Sequence, residues 1–318
     1  MLRYIARRLV ASLFVLWVIS ALVFALMNVL PGDAALGGTG FGVTPEVIAE
    51  IRAELGLDRP LLERYGDWIF SALQGDLGKT LNGFEMSELL ADRAPATIQL
   101  GILSLILVIV VAIPVGLLAA LRPGSKTEVT ASSLMIAANS IPEFLAGIGL
   151  VVAFGIGLGW FPIFGYVPFW EDPVANMHRM VLPVVAVSLP WTTLLMRQTR
   201  SAMINVLNDD YIRTARAKGL RGRVVVVRHG LRNALIPIVT VFGFQAGAVF
   251  AGAVITETVF AIPGMGFLFV QSVLNTRDFQ VVQNVAMFFA VVVVIVNLLV
   301  DLSYPLFDPR VRAERSAA

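Results

Sequence analysis

Cysteine is absent from the chain, histidine occurs only as His178 and His229, and charged residues make up 14% of its 318 positions. Each scarcity excludes a class of function. Without thiols there is no disulfide framework, no Cys-ligated zinc and no thiol catalysis. Two histidines are too few to expect a His-based metal or catalytic site. The sequence has no His-Glu-x-x-His run, no nucleophile elbow and no paired intramembrane aspartates, so an intramembrane enzyme is not expected. A soluble domain carries nearer a quarter charged residues, which turns attention to the apolar runs.

Hydrophobic residues make up 57% of the chain. Roughly 20 mostly apolar residues are needed for a helix to cross the hydrocarbon of a bilayer. Six segments qualify, near 9–29, 98–121, 131–156, 181–203, 234–256 and 283–305. The first follows Arg3, Arg7 and Arg8 but is longer than a signal-peptide core and ends in Asn28-Val29-Leu30-Pro31, so it reads as an uncleaved helix. Pro142, Pro183 and Pro190 interrupt the third and fourth segments, and they read as kinks within spans, because neighbouring helices can satisfy the carbonyls that proline frees. The expected fold is an all-α membrane protein with six transmembrane helices.

Charge sets the expected orientation. With the N-terminus inside, the inner segments hold Arg3, Arg7, Arg8, Arg122, Lys126, nine basic residues from Arg197 to Arg232, and Arg310, Arg312 and Arg315. The outer segments hold most of the acids, eleven of them between Asp33 and Asp92. This asymmetry follows the positive-inside rule and puts both termini in the cytoplasm. The chain then divides into a first helix (1–30), an external helical cap (31–97) and a five-helix core (98–318) with a cytoplasmic loop at 205–232. Within the cap, Thr44-Pro45-Glu46 carries the signature of a helix start and Gly56 that of its end.

Gly78-Lys79-Thr80 has the tail of a nucleotide-binding loop, but the glycine required five positions before Gly78 is Leu73. The segment also falls outside, away from cytoplasmic ATP. The chain therefore binds no ATP itself and carries no cofactor of its own.

The loop from Asn205 to Arg232 is the most informative stretch. Asp209 suits the cap of a short helix through Tyr211, Ala215 and Lys218, and Gly219 suits the left-handed residue beyond its end. Ala215 and Gly219 share a face, where small side chains permit another protein to approach. A solvated basic loop that merely obeys positive-inside is the plainer alternative.

Tyr211-Ile212-Arg213-Thr214-Ala215-Arg216-Ala217-Lys218-Gly219-Leu220, followed by Arg232-Asn233-Ala234-Leu235-Ile236-Pro237, resembles the coupling loop of ABC-importer permeases of the dipeptide/oligopeptide class. In the wider importer family the pattern is Glu-Ala-Ala, three residues, then Gly. Here Arg213, Thr214, Ala215 and Gly219 occupy those positions, the Arg-Thr-Ala form being similar to the peptide branch. Leu30-Pro31-Gly32-Asp33, Leu55-Gly56-Leu57-Asp58-Arg59-Pro60, Gly75-Asp76-Leu77-Gly78, Ala94-Pro95-Ala96-Thr97, Glu257-Thr258-Val259-Phe260 with Pro263-Gly264-Met265-Gly266, and Asp308-Pro309-Arg310 resemble that branch in the same order.

The resemblance implies a type I ABC-importer permease fold. It also implies a homologous second permease, two cytoplasmic ATPase subunits that hold the ATP and Mg, an external substrate-binding protein, and peptide as cargo. Asp210, Tyr211, Arg213, Thr214, Ala215, Ala217, Lys218 and Gly219 are then the ATPase-coupling residues. No nucleic acid is implied.

Glu143, Gln245 and Glu257 are the candidates for a translocation path. An ionisable group at membrane depth, such as Glu143, ordinarily faces a bundle interior or a water path. Its alternative role is to bond backbone freed by Pro142. Asp301, a turn from the end of the last span, reads as structural. Gly243, Gly247 and Ala251 form a small-residue face suited to close helix contact, within the chain or with a partner. Residues 263–280 are too short and glycine-broken to cross, and read as a re-entrant or surface helix with Phe267, Phe269 and Phe279 at the outer interface. Two other transport readings stay open: the same architecture carrying nickel or another small solute, and a proton-coupled transporter built on Glu143, for which no inverted repeat is visible.

Overall fold

The computed structural model describes residues 2–29 and 58–307. The expected helix start at Thr44 and the motifs at Leu30–Asp33 and Asp308–Arg310 lie outside the described residues. The elements are α1 (Leu2–Val29), α2 (Leu61–Leu73), α3 (Met86–Leu121), α4 (Lys126–Asn139), α5 (Glu143–Gly157), α6 (Pro173–Leu207), α7 (Asp210–Ala217), α8 (Gly222–Phe260), α9 (Met265–Thr276) and α10 (Phe279–Phe307). Five of these, α1, α3, α6, α8 and α10, are each long and apolar enough to cross a membrane unaided. At 36 residues α3 is about 54 Å long, well beyond the ~30 Å hydrocarbon layer, so its first turns with Glu88 and Asp92 stand clear of it.

The third expected span is not one helix. α4 and α5 meet at 104° across a three-residue break, Ser140 to Pro142. Pro142 was expected to kink a continuous helix and instead separates two. Its ψ of 140° is extended, and it occupies the cap position of α5. Proline also disfavours helical backbone at the residue before it, here Ile141. By contrast Pro183 and Pro190 lie within an unbroken α6, and Pro95, Pro114 and Pro237 are likewise inside helices. Ile141 and Pro142 are exposed, whereas Pro183 is buried, so tertiary packing holds the helix together only at the latter.

α3, α6 and α8 form the centre of the bundle. Their shared core includes Leu100, Val108, Leu195, Met196, Ile238 and Val249. α10 closes one flank of α8 along a glycine seam. A methyl group on Gly243 would overlap Val300, and one on Gly247 would lie 3.0 Å from Val293. Two members of the expected small-residue face thus serve packing within the chain, while Ala251 is exposed and lies off the seam. α1 packs on α10, and Arg8 Nη1 meets Asp301 Oδ2 at 2.8 Å, so the start of α1 lies beside the end of α10. Asp301 has the structural role expected of it. At its other end α1 receives α2, with Phe24 against Tyr65 and Trp68 at 5.5 and 5.7 Å, and Ser20 hydrogen-bonded to Tyr65.

Candidate coupling loop and translocation path

α7 is a two-turn helix at the end of α6. Asp209 occupies its cap position without a side-chain hydrogen bond. Asp210, in the first turn, is 3.3 Å from Arg213 Nη1, and its carbonyl accepts from Thr214 Oγ1 at 3.0 Å. The helix closes through paired bonds, Gly219 N–H to the Arg216 carbonyl at 2.9 Å and Leu220 N–H to that of Ala215 at 3.4 Å. This is the Schellman pattern, which requires a left-handed residue, and Gly219 supplies it with φ +74°.

The two faces of α7 differ from the simplest expectation. Ile212 and Ala215 turn inward and pack with Val225 and Leu207, so Ala215 is buried in the chain's own structure and is not part of an outer contact face. A β-carbon on Gly219 would meet nothing within 4 Å, so its requirement is conformational. The outward face carries Asp210, Tyr211, Arg213, Thr214, Arg216, Ala217 and Lys218.

Tyr211 ties this helix to α8. Its hydroxyl accepts from Asn233 Nδ2 at 2.7 Å and donates towards the His229 carbonyl at 3.4 Å. His229 lies within π-helical turns that run from Val225 to Leu231 at the start of α8, a wider winding that is frequent at functional sites. Asn233 is the contact of α7 that the sequence reading left out. The only signal for it was its place in the Arg232–Pro237 motif, because a partner 22 residues away leaves no periodic trace.

The three path candidates have three different environments. Glu143 begins α5 at the break, half-buried, and its Oε1 accepts from Thr256 Oγ1 of α8 at 2.8 Å. Gly252 lets the carboxylate approach, since a β-carbon there would lie 2.8 Å from Oε2. The partner of Glu143 is thus a side chain of another helix, and among the described residues no hydrogen bond joins it to backbone freed by Pro142. Gln245 is wholly enclosed in the bundle, and among the described residues neither atom of its amide has a partner.

Glu257 is equally enclosed but fully engaged. It accepts from Thr97 Oγ1 at 2.6 Å and from the Phe267 N–H at 3.0 Å, while Thr97 Oγ1 accepts from the Met265 N–H at 2.8 Å. Gly264 and Gly266 press directly on its carboxylate. The segments 94–97, 257–260 and 263–266 therefore meet in one polar clasp that holds the start of α9 against α3 and α8. Glu257 is a structural acceptor in this arrangement, and the short helix expected between the last two spans is α9.

The segment containing Gly78-Lys79-Thr80 is also structural. Lys79 pairs with Glu85 across a bridge at 2.8 Å, and that hydrogen bond raises the pKa of the ammonium above its ordinary value. Leu81 N–H donates to Asp278 at 2.8 Å, and Asn284 Nδ2 donates to the Leu77 carbonyl at 3.3 Å, which docks the hairpin on the start of α10.

Residues 112–313 match the family model described as binding-protein-dependent transport system inner membrane component, and residues 1–101 match the N-terminal model of the same system. The chain belongs to this permease family. A putative peptide transport system permease protein of Brucella abortus is 39% identical over 309 residues, covering 97% of this chain and 98% of its own. The dipeptide transport system permease protein DppB of Escherichia coli K12 is 36% identical over 340 residues, covering 99% and 100%. Among solved structures, an inward-facing MetNI methionine ABC transporter matches with a TM-score of 0.59 at 18% identity, over 70% of this chain and 98% of that one.

The permease is therefore a multi-pass subunit of the inner membrane with the ABC-importer fold, and it is not an enzyme. A system of this family is served by a binding protein, ATPase subunits and a further permease, and residues 205–232 lie within the main family match.

Proposed function

We propose that the permease moves di- or oligopeptides into the cytoplasm, driven by ATPase subunits that dock on α7. Near-full-length similarity to proteins named for peptide and dipeptide transport carries this reading. The basic ends of the spans are taken as cytoplasmic, with 98–318 as the moving core, 1–30 as an anchoring helix and 31–97 as an external cap. The partners are one homologous permease, two ATPase subunits and an external peptide-binding protein.

The mechanism follows from how α7 is held. ATPase movement acts on its outward face, at Asp210, Tyr211, Arg213, Thr214, Ala217 and Lys218. Ala215 and Gly219 act indirectly, one by seating the helix on Val225 and the other by closing it. Displacement passes to α8 through Ile212, Ala215 and the Tyr211–Asn233 bond. At its far end α8 bears Thr256 and Glu257, which hold Glu143 at the break and the start of α9. A change in the ATPase pair thus reaches both the broken span and the outer mouth, provided the docked state is favoured in one conformation only. Glu143, beside the break, is the remaining candidate for contact with cargo or water.

Uptake of a labelled dipeptide and of a labelled tetrapeptide by a strain lacking this gene, with and without the gene restored, tests the cargo. Restoration should recover peptide uptake. Unchanged peptide uptake alongside a defect for nickel or another small solute would reassign the cargo while leaving the family intact.

A further inference from the structure

Between the first turns of α4 and the last turns of α6 lies a cavity of about 460 Å³ lined by Glu128, Ser132, Ile136, Arg197, Arg200 and Ser201. Its acid is already committed. Glu128 Oε1 lies 3.0 Å from Arg200 Nε and accepts from Ser132 Oγ at 3.2 Å, and Oε2 accepts from the Gly124 N–H at 3.3 Å. Ser125 Oγ accepts from the Glu128 N–H at 3.2 Å, so this carboxylate also belongs to the cap of α4. Two guanidinium groups facing one carboxylate leave a formal charge of +1. Arg197 is exposed and makes no ion pair or hydrogen bond among the described residues, and the same is true of Ser201, one turn further along the same face of α6.

We propose that this groove binds the phosphate of an anionic phospholipid, with Arg197, Arg200 and Ser201 as donors. Two observations favour a lipid over a dissolved anion. The charged groups lie in the last third of α6, towards the end that the charge asymmetry of the sequence puts at the cytoplasmic face. Beyond them the surface turns apolar: Ile136 of the lining is 54% exposed, and Leu194, one turn before Arg197 and outside the lining, is 45% exposed. A lipid places its headgroup at the arginines and an acyl chain along Ile136 and Leu194, whereas a small anion gains nothing from that surface. Arginine forks match phosphate oxygens in pairs, and basic pockets between helices are the expected sites for anionic headgroups. A lipid seated here contacts both α4 and α6, and so braces the inner half of the broken span against the centre of the bundle.

The proposal depends on the reading above only for which leaflet supplies the lipid. The test is phosphatidylglycerol retention by the purified full complex during delipidation, followed by native mass spectrometry, against phosphatidylcholine as the neutral control. Wild type should retain phosphatidylglycerol selectively. Arg197→Gln should weaken that retention about fivefold, the factor corresponding to ~1 kcal/mol per basic residue at an anionic surface. Arg197 has no partner to lose among the described residues, so the variant should fold, whereas Arg200→Gln takes the ion pair from Glu128 and is the poorer probe. Arg197→Lys should fall between, keeping the charge and losing the fork. Equal retention by wild type and Arg197→Gln overturns the site. Displacement of phosphatidylglycerol by millimolar inorganic phosphate or dipeptide overturns it in favour of a solute anion. The leaflet is checked separately with Asn208→Cys, the one thiol in an otherwise cysteine-free chain. It should react with an impermeant maleimide only from the cytoplasmic face, and labelling from outside would refute the orientation while leaving the binding result to stand.

Discussion

Replacing Tyr211 by Phe removes one oxygen and leaves the ring in place, which isolates the link between α7 and α8. The lost interactions are the 2.7 Å bond from Asn233 and the longer one to the His229 carbonyl. A neutral hydrogen bond contributes a net ~1 kcal/mol, and a buried orphan would add a desolvation penalty of similar size. Tyr211 and Asn233 are exposed, so water takes over the freed amide and the penalty does not arise. The folded permease should therefore lose about 1 kcal/mol at most. The same ~1 kcal/mol, taken from the preference for the docked state, shifts the docked-to-undocked ratio about fivefold. In proteoliposomes with the ATPase subunits and binding protein, stimulated ATP hydrolysis should be nearly retained while peptide imported per ATP falls by up to that factor. Asn233→Ala should behave alike, and the double variant should be no worse than either single one. The cycle would then give a coupling energy of about 1 kcal/mol. Strictly additive losses, or uptake and hydrolysis falling together, would refute the claim that this bond transmits the movement.

Three further outcomes follow from the geometry. Gly219→Val should break the end of α7 through backbone strain of ~1–2 kcal/mol, since the site is sterically open, while Gly219→Asn, which tolerates the left-handed region, should retain most activity; the readout is uptake at equal membrane abundance. Thr97→Val deprives both Glu257 and the Met265 N–H of a partner inside the bundle and should destabilise the permease by ~2–4 kcal/mol, seen as a lower melting temperature and earlier proteolysis around 260–278; a variant as stable as wild type contradicts the clasp. Gly243→Ala should cost ~1–3 kcal/mol by overpacking against Val300, and a paired Val300→Ala should recover part of it, whereas Ala251→Val on the exposed side should leave stability unchanged.

Long apolar runs and charge asymmetry are legible because the bilayer imposes length and the leaflets impose sign, so α1, α3, α6, α8 and α10 could be placed before any coordinates. The break after Asn139 could not. Pro142 has the same local signature as Pro183, and the difference lies in burial, which belongs to the fold. The coupling helix was legible in its limits, through Asp209 and Gly219, but its facing was misread. Ala215 was assigned outward from small size, while the better signal was Ile212, a lone large apolar residue three positions earlier that marks the inward stripe. Of the three polar residues assigned to the path, Glu257 sits in a hydrogen-bonded clasp, Gln245 is an enclosed amide without partners among the described residues, and Glu143 bonds Thr256 beside the break. Sequence reveals that a polar group is in a span, but not whether donors from residues such as Thr97 and Phe267 converge on it.

α8 is the element through which these features act together. At 39 residues it is about 58 Å long, more than a membrane thickness. Its inner end is fixed to α7 by the two hydrogen bonds of Tyr211 and a small apolar cluster, and its outer end to α9 and α5 by Glu257 and Thr256. Glycine in a helix interior is intrinsically unfavourable, and here Gly243 and Gly247 recover that loss by bringing α10 into close contact, which stiffens the middle. A rod clamped at both ends and braced along its length moves as a body. The π-helical turns at Val225–Leu231 are its one irregular stretch near the loop, so bending strain from α7 should collect there. Deleting a single residue within 225–231, which would restore regular α-helical winding, should therefore rotate the rest of α8 relative to α7 and abolish import. The same deletion should leave α8 packed against α10. Crosslinking of paired cysteines at Gly247 and Val293 in this cysteine-free chain would read that contact, and its loss would show that the two ends of α8 are not mechanically separable in this way.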